Sequence, residues 1–183
     1  MARREILDAN GVVEAIRSLA HQIGEAPAGL EGLALVGIHT LGVPLAERIE
    51  AAIVRRHPGL EVLRGSIDIT LYRDDLSTTL HRPHVQGSAV SFDVEGKRVV
   101  LVDDVCYTGR TARAAIDQII DFGRPRLIEL AVLVDRGHRE LPIQPSYVGT
   151  VVDTQPDEIV QVKLREANGE DFVVVETKPA ANP

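Results

Sequence analysis

A chain of 183 residues, 44% hydrophobic and 26% charged, is the size of one well-filled domain and too apolar for wholesale disorder. Its net charge of −7, from 27 acidic against 20 basic side chains, excludes a protein that coats nucleic acid through net charge alone. One cysteine, Cys106, excludes an internal disulfide and any multi-cysteine zinc module, and makes a reducing, cytoplasmic setting the expectation.

No apolar stretch follows Arg3-Arg4, so no secretory signal is expected, and no apolar run approaches the roughly 18 residues that cross a bilayer. Val12, Val13, Ile16, Leu19, Ala20 and Ile23 recur at helical spacing and predict a helix over 10–23, with Asn10 as its cap and Gly24 as its end. The short apolar run at 33–38 reads as a strand buried on both faces. A helical pattern over 42–54 comes next, then a strand over 62–71. A polar connection over 70–91, rich in Asp, Arg, His, Thr and Ser, is long enough to be functional or mobile. Residues 99–102 are the clearest strand and 111–122 the clearest helix, stopped by Gly123-Arg124-Pro125; a buried strand over 127–134 follows. The tail has β-like stretches at 158–164 and 172–175. Strands alternating with helices predict an α/β fold with a mostly parallel central sheet flanked by helices, whose ligand sits at the carboxyl ends of the strands.

The strongest local signal is Val99-Val100-Leu101-Val102-Asp103-Asp104-Val105-Cys106-Tyr107-Thr108-Gly109-Arg110-Thr111. Two carboxylates ~4 Å apart repel by about 1 kcal/mol in water and by several times that near the interior. Such a pair at the end of a buried strand calls for a partner that wants acceptors or negative charge, as ribose hydroxyls and magnesium do. Beyond it, Thr108, Gly109, Arg110 and Thr111 span a helix start. Orphan N–H groups and the positive end of the helix dipole make an anion site there. Acids for a sugar and a turn for its phosphate are the two halves of a phosphorylated-ribose site. The bland alternative is an acid pair followed by a Thr-capped helix.

This run resembles the motif that binds phosphoribosyl pyrophosphate (PRPP) in type I phosphoribosyltransferases. The likeness extends to Ile67-Asp68-Ile69-Thr70-Leu71-Tyr72-Arg73-Asp74-Asp75-Leu76 and to Asp135-Arg136-Gly137-His138-Arg139-Glu140-Leu141-Pro142-Ile143. Together these segments resemble one family, the bifunctional pyrimidine operon attenuation regulators/uracil phosphoribosyltransferases, over about 6–175. The resemblance implies a single domain over 1–183 with the type I phosphoribosyltransferase fold, a flexible lid at about 70–91, and a small hood built from N- and C-terminal parts. It implies uracil + PRPP giving UMP + pyrophosphate, with magnesium carried by PRPP near Asp103 and Asp104 and no metal site of the protein's own.

By position in the family pattern, Asp103 and Asp104 are the catalytic acids, and Val105, Cys106, Tyr107, Thr108, Gly109, Arg110 and Thr111 wrap the 5′-phosphate. Thr40, Leu41 and Gly42 belong to a second anion loop, where Leu41 replaces a basic residue of the family. A plain strand-to-helix turn is the alternative there. Arg73 and Arg82 are candidates to cover pyrophosphate from the lid, or else are solvated loop charges. Arg136 is placed against pyrophosphate or base. Val160, with Ile159, walls the uracil unless it is ordinary core.

The family also binds a leader-mRNA hairpin, promoted by UMP, and favours transcription termination. Matching positions offer Arg17, His21, His138 and Arg139, of which Arg17 and His21 share one helical face and read equally well as solvated. Family members carry basic residues where this chain has Ala26, Gln144 and Thr150, which implies weaker RNA contact or contact through other residues. A homodimer or higher homo-oligomer and no membrane partner are expected. Two alternatives stay open: an RNA-binding regulator with vestigial transferase activity, and a transferase for another base. The pair His81 and His84 has a metal-like spacing but no further ligands, and Cys106 lacks a partnering base, so neither a transition-metal site nor a thiol nucleophile is expected.

Overall fold

The computed structural model describes residues 3–69 and 87–177. Strand β1 (Arg3–Leu7) leads into helix α1 (Ala9–Gly24), then β2 (Leu33–Ile38), α2 (Gly42–Arg56) and β3 (Leu63–Ile67). Strand β4 (Arg98–Cys106), helix α3 (Arg110–Phe122), β5 (Leu127–Asp135) and β6 (Tyr147–Val151) follow. The chain closes with β7 (Glu158–Lys163), a single turn α4 (Arg165–Asn168) and β8 (Phe172–Thr177).

The main sheet runs β3-β2-β4-β5-β6, with every pairing parallel. Successive strand side chains point to opposite faces, so a strand covered on both sides must be apolar throughout. On one face Leu35, Val100, Val102 and Leu133 pack with Leu19 and Ile23 of α1 and Leu45 and Ile49 of α2. On the other, Val36, Val99, Leu101 and Val132 pack with Ala112, Ala115 and Ile119 of α3. A second, antiparallel sheet in the order β1-β8-β7 pairs the two ends of the chain. Its inward residues Val160, Val162, Val173 and Val175 join the α1/α2 core.

Two arginine networks tie these layers together. Arg48 of α2 donates twice to Asp171, at 2.8 and 3.1 Å, and twice to Glu166, at 2.6 and 2.8 Å, which fastens α2 to the β7–β8 connection. Arg98, completely buried at the start of β4, donates to Glu129, to the Tyr147 hydroxyl and to the carbonyls of Ile23 and Gly29.

Several expectations are corrected. Asn10 does not cap α1; the helix begins at Ala9 and is capped by Asp8, whose carboxylate accepts from the Gly11 N–H at 2.7 Å. The strand expected over 62–71 is the shorter β3. The acid pair does not end its strand: β4 continues to Cys106 because β5 pairs with it as far as Cys106↔Asp135. The intervening loop is therefore only 107–109, and α3 starts at Arg110. Periodicity announces neither β1, β6 nor α4. β1 (Arg-Arg-Glu-Ile-Leu) has no alternating pattern and is held by its register with β8. Most of the 70–91 connection lies outside the described residues; of its described end, Ala89 bridges to Ser66.

Candidate active site

The carboxyl ends of β2, β4 and β5 meet on one side of the sheet. There β4 delivers Asp103 and Asp104, both half-buried, and the three residues after it turn the chain into α3. Gly109 is the residue before that helix and has φ 91°, a left-handed conformation that a side chain would strain. The cap residue Gly109 has no side chain to offer, and Thr108 Oγ1 accepts from the Arg110 N–H at 3.3 Å, so the first turn of α3 is held from within the 107–111 turn itself. A cleft of about 260 Å³ lies here, lined by Asp103 and by every residue from Val105 to Thr111. The predicted phosphate turn is thus gathered in one place. Ala112 of α3, Leu130 and Val132 of β5, and Glu140 complete the lining. Periodicity assigns the two β5 residues to the core, and the sequence marks Glu140 only as part of the 135–143 segment, with no role of its own.

The backbone N–H of Asp104 donates to Asp103 Oδ1 at 2.9 Å. Burial pushes the Asp104 carboxyl above its ordinary value, while hydrogen bonds from Asp103, its own backbone and Val105 pull it back in part. Cys106 lies in the core beside the turn. Burial pushes its thiol up to about 11, against the pull of Arg139, so it is a protonated packing residue at neutral pH.

The second loop follows β2. Its His39–Thr40 peptide bond is cis, Thr40 is exposed and Leu41 half-buried, and Leu41 precedes α2 without a side-chain cap. Gly42 is buried against β4. A Cβ there would lie 2.1 Å from the Val102 carbonyl oxygen, one residue before Asp103. Absence of a side chain at Gly42 therefore brings the start of α2 directly onto β4 at Val102, and the second predicted anion loop lies beside the strand that carries Asp103.

The segment after β5 forms a wall against the phosphate turn. Arg136 is buried; its Cζ lies 4.2 Å from the Tyr107 ring centroid, its Nη2 donates to Gln155 O at 3.3 Å, and its Nε has no partner among the described residues. His138 sits at φ 59°, with Nε2 2.8 Å from Thr154 O and its ring edge-on to Tyr107 at 5.8 Å. Arg139 pairs with Asp135 at 2.7 Å, and Glu140 pairs with Arg110 at 2.8 Å.

Arg17 and His21 are exposed on α1, beside Glu14 and Glu25 respectively, and are distant in the chain from His138 and Arg139. Val160 is a core residue whose neighbour Ile159 is exposed. Arg73, Arg82, His81 and His84 lie outside the described residues. Among the described residues no group of three or more His, Cys, Asp and Glu could hold a metal ion, and no helix is long and apolar enough to cross a membrane.

A family model for the phosphoribosyl transferase domain matches residues 2–167. The bifunctional protein PyrR of Thermus aquaticus is 55% identical over 179 residues, covering 98% of each chain. That of Deinococcus radiodurans is 53% identical over 168 residues, covering 92% of this chain and 91% of its own. Among solved structures, the hypoxanthine phosphoribosyl transferase of Trypanosoma cruzi superposes with a TM-score of 0.72 at 18% identity, covering 96% of this chain and 91% of that one. A hypoxanthine phosphoribosyltransferase from Staphylococcus aureus does so with a TM-score of 0.67, covering 98% and 94%. At 18% identity these structures speak for the fold alone.

Proposed function

Because the chain belongs to the phosphoribosyl transferase domain family and, within it, to the bifunctional PyrR proteins, we propose two activities for it. It joins uracil to PRPP, giving UMP and pyrophosphate. It also binds its operon's leader mRNA in a UMP-dependent way and thereby attenuates transcription. The observation that carries the transferase reading is the convergence, in one cleft, of Asp103 with a helix start entered through a left-handed glycine.

In this reading the uracil nitrogen gives up its proton to the departing pyrophosphate or to solvent and forms a bond to the anomeric carbon as the bond to pyrophosphate breaks, through an oxocarbenium-like state. Such chemistry needs positioning and charge stabilisation more than covalent help. Asp103 and Asp104 hold the ribose hydroxyls and face the developing positive charge. The 107–111 turn and the N-terminus of α3 hold the 5′-phosphate. The 40–42 loop holds pyrophosphate through backbone N–H groups, with Leu41 supplying no charge. Arg136, buried and with an Nε unpartnered among the described residues, supplies a cation toward pyrophosphate or base. Adjacent carboxylate oxygens are the donor type magnesium prefers, but two are too few for a site of the protein's own. Asp103 and Asp104 would hold a magnesium ion carried by PRPP, and that ion would supply neutralisation of charge on the pyrophosphate.

The 70–91 connection, with Arg73 and Arg82, serves as the lid, and the β1-β8-β7 sheet as the hood of a single domain. The protein works in the cytoplasm as a homo-oligomer, with Arg17, His21, His138 and Arg139 toward RNA.

The test is pyrophosphate release from PRPP and magnesium with uracil, orotate, hypoxanthine and guanine offered separately. Turnover with uracil is expected; turnover only with another base moves the substrate, and a folded, UMP-binding sample inert toward all four leaves a regulator alone. A gel shift with the leader hairpin, with and without UMP, tests the second activity; equal binding to a scrambled hairpin counts against it.

A further inference from the structure

The side chain of Arg139, a residue matched to RNA contact, is only 11% exposed, and its guanidinium is committed inside the protein. Nη2 meets Asp135 Oδ2 at 2.7 Å and Nε donates to Ile143 O at 2.9 Å. Nη1 donates to Tyr107 O at 2.8 Å and to Gly137 O at 3.1 Å. These acceptors belong to separate places: the last residue of β5, the loop after it, and Tyr107, the first residue beyond β4. Tyr107 opens the turn that enters α3. Two further bonds run between the same segments, since the backbone N–H groups of Glu140 and Leu141 both donate to Thr108 O, at 3.0 and 3.2 Å. Next in line, Gly109 faces Leu141 and Ile143. A planar guanidinium fork suits a place where several acceptors must be held at fixed separations, and an ammonium does not reproduce it.

We infer that Arg139 is a positioning residue of the nucleotide-phosphate turn, an inference that rests on the transferase reading above. It clamps the Tyr107 carbonyl to the end of β5, so that the N–H groups after Tyr107 and the start of α3 are aimed before a phosphate arrives. Removing it loosens ligands that carry a 5′-phosphate and spares the ligand that does not.

The experiment compares Arg139→Gln and Arg139→Lys with the wild-type full-length chain in three readings: UMP affinity by titration calorimetry, KM for PRPP and KM for uracil. Arg139→Gln is expected to weaken UMP and raise the KM for PRPP by about 10-fold, the equivalent of one lost charge-assisted hydrogen bond. The KM for uracil stays within about twofold, and Arg139→Lys recovers only part of the loss, because it restores charge without the fork. UMP affinity and PRPP KM both within about twofold of wild type would overturn the inference. So would a parallel rise in the KM for uracil, which marks general loosening. If Arg139→Gln fails to fold, Asp135→Asn removes only the charged acceptor, and a smaller shift of the same selectivity is expected from it; no shift overturns the clamp. Wild-type protein that binds no UMP refutes the transferase reading itself, and the inference with it, before any variant is compared.

Discussion

Gly42→Ala probes the crossing that seats the 40–42 loop against β4 beside Asp103. A Cβ at Gly42 would lie 2.1 Å from the Val102 carbonyl oxygen. Carbon–oxygen contacts ordinarily lie at about 3.3–3.6 Å, so the substitution must open the crossing by about 1.2 Å. Both partners are backbone, and neither can swing aside as a side chain does. Overpacking of this kind costs about 1–3 kcal/mol, a fall in Tm of about 2–12 °C for a chain of this length. The displacement falls between the pyrophosphate loop and Asp103, and a misplacement of about 1 Å lowers rates on the order of 100-fold. Gly24→Ala is the matched control: its Cβ meets only the His57 ring, at 3.4 Å, at the end of α1. Alanine there is expected to be neutral or stabilising by up to about 1 kcal/mol. Calorimetric Tm and kcat/KM for PRPP, measured on both variants, decide the matter. Wild-type values for Gly42→Ala, or equal losses in the two variants, would refute the close-crossing argument.

Asp103→Asn and Asp104→Asn should each lower kcat/KM by on the order of 100-fold while Tm stays within about 4 °C; wild-type rates in both would place the chemistry elsewhere. Because burial raises the Asp104 carboxyl above its ordinary 3.8, the ionised form is lost at a higher pH than usual. The acid limb of the pH–kcat/KM profile should therefore lie above that value and change in Asp104→Asn. With its thiol pushed up from 9.0 to about 11, native Cys106 should react with iodoacetamide at pH 8 at least about 100-fold more slowly than the urea-unfolded chain. The same shift means that the folded state holds this proton more tightly, so the urea midpoint should fall as pH rises from 9.0 toward about 11 and be insensitive to this group below. Arg98→Met strips the donor from Glu129, Tyr147 and two carbonyls. It should cost about 3–5 kcal/mol in urea unfolding and leave the KM for PRPP unchanged, since Arg98 is about 16 Å along β4 from Asp103. A loss below about 1 kcal/mol would count against the network as a buried staple.

What was legible in the sequence is what lies close together along the chain. The 33–38 and 99–102 strands read as continuous apolar runs because a parallel sheet covered on both faces tolerates nothing else. The acid pair, left-handed glycine and helix start read as a sugar-phosphate site because strand, turn and helix are consecutive, and residue types alone state the chemistry. Gly42 was legible as part of a loop but not as the point where α2 touches Val102.

The tertiary structure decided everything that depends on pairing across distance. β4 extends through its acids because β5 offers matching partners up to Asp135, a pairing no local pattern encodes. β1 exists because β8, from the other end of the chain, supplies its hydrogen bonds. Arg139 carries the same charge whether or not it clamps Tyr107, and composition cannot reveal the clamp. Only the placement of its acceptors does, because a hydrogen bond depends on where the chain brings donor and acceptor together, not on which residues it contains.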